Sequence, residues 1–154
     1  MAYTTLAQLK KRVSAVVLAM LADEQNRDTS TTALVDTILA DSDVVAVIDE
    51  AIADADLLIN QYVQGVVDIT DTAITDQFEP VSACLAIFNL YSRRHNDGED
   101  NPKFWERKEK VKWLEMVGRR QLKLATGPEV PTITAYSSTA SRTPVVNDTS
   151  VEMY

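Results

Sequence analysis

The sequence predicts an all-α protein, a small bundle of about four to five helices followed by an extended C-terminal arm. Three observations carry this. Across residues 43–65, Val45, Ile48, Ile52, Ala55, Ile59 and Tyr62 follow one another at steps of 3, 4, 3, 4 and 3, a helical period sustained along the whole stretch. Four Gly and five Pro in 154 residues are few for a β-sandwich, whereas the Ala, Leu, Val and Lys content suits helices. Beyond Gly127 the period stops: residues 128–154 hold three Pro and many Ser and Thr. The expected division is therefore a helical domain over 1–127 and an arm over 128–154.

The chain opens with a capping box, Thr5-x-x-Gln8, and Leu6, Leu9, Val13, Val16 or Val17 and Met20 give one helix a stripe through about Ala22. Residues 23–32 are polar and read as a loop. A short helix over 32–40 carries Leu34, Val35, Ile38 and Leu39. The central helix follows, capped by Ser42 or Asp43 and ended by Gly65 in a left-handed conformation. Val44, Ala51, Leu58 and Val63 widen its apolar face, while Glu50, Asp54 and Asp56 are expected on an acidic flank. So broad an apolar face needs packing partners on at least two sides.

Residues 66–79 lack a clean alternation and read as a loop. Pro80 is then expected as the first residue of a helix with the stripe Val81, Cys84, Leu85, Phe88 and Tyr91, ending near Arg93, Arg94 and His95. Residues 96–101, NDGEDN, mark a turn. Asn101 and Pro102 are expected as N-cap and first residue of a last helix that runs to about Arg120, with Phe104, Val111, Leu114 and Val117 inward. In the arm, Val130, Thr132, Thr134 and Tyr136 alternate with other residues as an added strand would, which makes this segment a candidate partner-binding element.

Charge is distributed unevenly. Residues 1–100 carry 6 Lys/Arg against 17 Asp/Glu, a net −11, whereas residues 101–124 carry 8 against 3, a net +5; the chain as a whole is at −8. A basic rod thus lies on an acidic body. One reading is a solvated helix with pairs such as Glu106–Lys110; the other is a rod that meets acidic surface on a neighbouring copy or another protein. The overall acidity argues against non-specific nucleic-acid binding by the whole surface.

Chemistry is thinly represented. Cys84 sits on an apolar stripe, where a core role is expected, and His95 stands beside two Arg at a helix end. Gly65, Gly98, Gly118 and Gly127 form no phosphate loop, and no metal-ligand spacing is present. Asp49 and Asp56, two turns apart, fit a solvated flank or a subunit contact better than acid–base work. We therefore expect no enzyme activity, cofactor or metal. A single Cys suits a reducing compartment, the first residues lack a signal-peptide layout, and the longest apolar run, residues 15–22, is far too short to span a bilayer; the expectation is a soluble protein made inside the cell. On the basic helix, Trp105 and Trp113 fall near one face; Trp113 reads as core and Trp105, off the main stripe, as an interface anchor.

The order of these features resembles a known family. The N-terminal MAYTTLAQL, the central Ala53, Asp54, Ala55, Asp56, Ile59 and Tyr62, then Cys84, Ile87, Leu90, Tyr91, Arg93 and Arg94, and finally Val111, Trp113, Leu114 and Val117 resemble the Mu-like head–tail connector (adaptor) family of tailed bacteriophages over residues 2–124. The family pattern has a small residue or Gly where Arg120 stands, and on this reading residues 30–40 and the long arm are this chain's own. The resemblance implies a helical adaptor of the virion neck, a ring of about twelve copies under the portal. Such a ring lengthens the channel through which genomic DNA passes without specific binding and gives a stopper or tail-completion protein its platform; no membrane is involved. A ring needs contacts that are not self-complementary, and the charge division supplies two different halves. Arg107, Lys110, Lys112, Arg119 and Arg120, with Trp105, are expected to meet Asp49, Asp54 and Asp56 of the next copy or acids of the portal. The alternative is a small helical regulatory or DNA-binding protein that uses residues 103–123 on phosphates; the −11 on residues 1–100 weighs against it.

Overall fold

The computed structural model describes residues 2–68, 71–94, 98–122 and 124. Among them are six α-helices and no strand: α1 Leu6–Arg12, α2 Ala15–Ala22, α3 Thr32–Leu39, α4 Ser42–Val63, α5 Thr72–Arg94 and α6 Phe104–Gly118. The arm over 128–154, with Val130, Thr132, Thr134 and Tyr136, lies outside the described residues, as does His95.

Helices α4 and α5 form the central pair. Helix α6 packs across both, α2 touches α3, α4 and α5, and α1 lies on α5. The predicted stripe of α4 supplies much of the core: Ile48, Ala51, Ile52, Ala55, Ile59 and Val63 are all buried. From α5 come Ile74, Phe78, Val81, Leu85 and Leu90, and from α6 Leu114 and Val117. Phe78 joins three elements, its ring 5.5 Å from Tyr3 and 5.8 Å, edge-on, from Trp113.

Three boundaries differ from the expectation. The first helix is two, because Val13 is extended (φ −134°, ψ 141°) and the Ser14 hydroxyl accepts from Val17 N to start α2. A β-branched residue followed by a strong N-cap makes this break cheap. Helix α5 begins at Thr72, so Pro80 is inside it rather than at its start. An interior Pro removes one backbone hydrogen bond and costs about 3 kcal/mol; burial of Ile74 and Phe78, one turn apart on the same face, holds the two turns ahead of it. Last, α6 starts at Phe104. Asn101, 2% exposed, caps the turn before it, Oδ1 accepting from Lys103 N at 2.9 Å and its carbonyl from Phe104 N at 3.0 Å.

Other ends follow the sequence more closely. Thr5 caps α1 as expected, and Gly65 takes φ +76° after α4; Thr31 caps α3, and the cap of α4 is Asp41, which accepts from Asp43 N at 2.9 Å, not Ser42 or Asp43. At the end of α6, Arg120 N reaches Val117 O and Gln121 N reaches Met116 O, both at 2.9 Å. This is a Schellman closure, with Arg120 at φ +56° in the position that Gly ordinarily fills. Among the described residues no helix is long and apolar enough to cross a membrane.

Candidate functional site

The surface that the charge pattern singles out has two parts. On α6 the outward residues are Trp105, Lys108, Glu109 and Lys112, continued past the helix end by Arg119 and Arg120, all exposed. Helical spacing places 105, 108, 109 and 112 on one face because 113 to 117 turn Leu114 and Val117 inward. Trp105 is 56% exposed. The Lys108 ammonium lies 4.9 Å above its indole and the Phe104 ring meets it edge-on at 5.3 Å. Trp113 faces the other way, half-buried against Phe78.

Not every predicted cation is free. The Arg107 guanidinium stacks over Phe88 at 4.7 Å, and Lys110 is half-buried on the wall of a recess with Arg12, Cys84 and Glu106. Glu106 bonds Lys103 at 2.8 Å rather than forming the i,i+4 pair with Lys110. Lys112, Arg119 and Arg120 are the predicted cations that stand clear.

The acidic part lies on α4. Asp49 and Asp54 are exposed as expected. Asp56 is a correction: it is 6% exposed and points inside. Its Oδ2 accepts from Tyr3 N at 3.1 Å and its Oδ1 from the Ser82 hydroxyl at 2.6 Å, while the Tyr3 hydroxyl donates to Asn60 Oδ1 at 2.6 Å. Asp56 thus ties the segment before α1 to α4 and α5. Burial pushes its carboxyl above the usual range, against the two hydrogen bonds, which pull it down. The signal was in the spacing, since 56 stands four residues after Ile52 and three before Ile59. Residue type alone says surface.

Two polar clusters escaped the sequence reading. Arg27 bridges Asp23 at 3.0 Å and Asp41 at 2.6 Å, joining the end of α2 to the cap of α4. Those hydrogen bonds hold both carboxyls below their ordinary value. Arg94 closes α2 by donating to the carbonyls of Leu21 and Asp23 and to Asn26 Oδ1 at 2.9 Å, and Arg93 reaches Glu24 at 2.5 Å and Glu50 at 3.3 Å. These two Arg therefore serve the fold as well as the end of α5. Cys84 is buried, and desolvation followed by the nearby Glu106 charge pushes its thiol to about 11, which keeps it protonated and unreactive near neutrality.

A basic face on α6 and an acidic face on α4 thus stand on separate helices, each clear of the core. In comparison with protein families, the model of the family described as Bacteriophage Mu, Gp36 matches residues 3–141. The chain belongs to that family. The match runs past 124 to 141, so the first part of the arm falls within the family's length and is not an addition peculiar to this chain. Comparison with curated proteins and with solved structures gave no match.

Proposed function

We propose that this protein is a structural component of the phage virion, a head–tail adaptor whose copies form a ring under the portal, extend the DNA channel and offer a platform to the stopper or tail-completion protein. The observation that carries the reading is the placement of opposite charges, in a chain of the Mu Gp36 family. Lys112, Arg119 and Arg120 are exposed at α6, while Asp49 and Asp54 are exposed on α4. Copies of one chain that present different surfaces at their two sides associate head to tail, and such contacts close into a ring when the rotation between copies divides a full turn. The acidic excess also leaves a channel wall to which passing DNA does not adhere. In this reading the arm over 128–154 is a second attachment, with Val130, Thr132, Thr134 and Tyr136 meeting the partner.

Charge reversal tests this reading. Arg119→Glu with Arg120→Glu should leave the fold intact, since both side chains are exposed, and abolish joining to the portal. Head–tail joining at the wild-type level would defeat it.

A further inference from the structure

The segment before α1 and the outer flank of α4 enclose a groove of about 520 Å³, lined among others by Thr4, Asp49, Ile52, Ala53 and Leu57. Its chemistry is specific. Leu57 is 58% exposed and makes an apolar lip with Ala53, while Asp49 stands exposed at the edge. Thr4 is 1% exposed, and its hydroxyl is a buried side-chain group without a hydrogen-bond partner among the described residues. An unsatisfied buried hydroxyl is costly and calls for a partner.

The occupant that fits is an apolar body that carries a cation and a donor. The outer face of α6 presents one: the exposed Trp105 indole, with the Lys108 ammonium 4.9 Å over its ring. Indole supplies flat apolar area and an N–H donor, and the ammonium answers Asp49. We infer that the partner of this groove is a second copy of the chain, with Trp105 and Lys108 of one copy seated between residues 2–6 and α4 of the next. Groove and knob belong to different elements, so each copy carries one of each. In a ring this contact is heterologous and repeats from copy to copy until it closes. The inference rests on the ring reading above and names its contact.

The test uses the full chain with cysteines placed beside the contact and not in it. Gln61→Cys, one turn past Leu57 and outside the groove's lining, and Glu109→Cys are both at exposed positions and leave Ala53, Leu57, Trp105 and Lys108 in place; circular dichroism checks the fold. The variants are mixed, with and without portal, and treated with a short bismaleimide, wild type giving the background from buried Cys84. The expected product is a mixed dimer of one chain of each kind, absent when either variant is treated alone, and Trp105→Ala should lower the assembled fraction at least about tenfold. Like-with-like dimers from a single variant would show a symmetric contact and overturn the inference. Rings by native mass without the mixed product would overturn it too, while leaving the ring reading standing. Monomers under every condition, with no mixed product, would end both.

Discussion

Arg27 stands at a junction that no local pattern announces. It holds Asp23 and Asp41 from two different elements, and both carboxyls titrate below their ordinary 3.8 in the folded chain. A carboxyl lowered in this way stabilises the fold fully above its unfolded value and loses that contribution as pH falls through the folded one. Arg27→Met should therefore lower the urea midpoint at neutral pH, and the gap from wild type should narrow as the pH is taken below 3.8. A gap that stays constant down to about pH 2 would contradict the linkage. Asp56 works in the opposite sense. Its raised folded value means that ionisation opposes the fold, so this group alone favours folding more as pH falls through that value. Arg120 offers a second check. A non-glycine residue in the left-handed region costs about 1 kcal/mol, so Arg120→Gly should stabilise the chain by about that amount in urea unfolding while removing one proposed contact charge. Destabilisation would show that the Arg120 side chain contributes more to the fold than its backbone strain costs.

At the scale of elements, α4 and α6 approach closely at Gly118. A Cβ on Gly118 would lie 2.8 Å from the Tyr62 carbonyl oxygen, and a backbone atom does not move aside as a flexible side chain does. Gly118→Ala is expected to cost about 1–3 kcal/mol by denaturant unfolding; an unchanged midpoint would mean that the two helices part easily. The legible elements share a property: their patterns repeat. Ile48, Ile52, Ala55 and Ile59 of α4 are buried where the 3–4 spacing puts them, and Thr5 and Gly65 cap or end helices where their chemistry directs. What escaped depends on single residues or distant contacts. The break at Val13 turns on one extended residue, and the first turns of α5 form among Thr, Asp and Pro because Ile74 and Phe78 reach the core. By its type Asp56 belongs on the flank, whereas its register with Ile52 and Ile59 puts it inside. The basic face of α6 could be read from composition. The groove could not, because residues 2–6 and α4 meet across some fifty positions of chain.

For the molecule as a whole, the division of charge and the family to which the chain belongs support the proposed function, in which a helical body with two unlike faces joins copies side by side in the neck of a phage. Core packing, the Arg27 and Arg94 clusters and the Asp56 anchor serve to hold those faces in fixed relation, since α4 carries the acidic side and the groove while α6 carries the basic side and Trp105. The measurement that tests the central claim most directly is the native mass of the full chain mixed with the portal of the same phage. The account predicts a complex of about twelve copies on the portal. A chain that stays monomeric or dimeric beside an unmodified portal would contradict it.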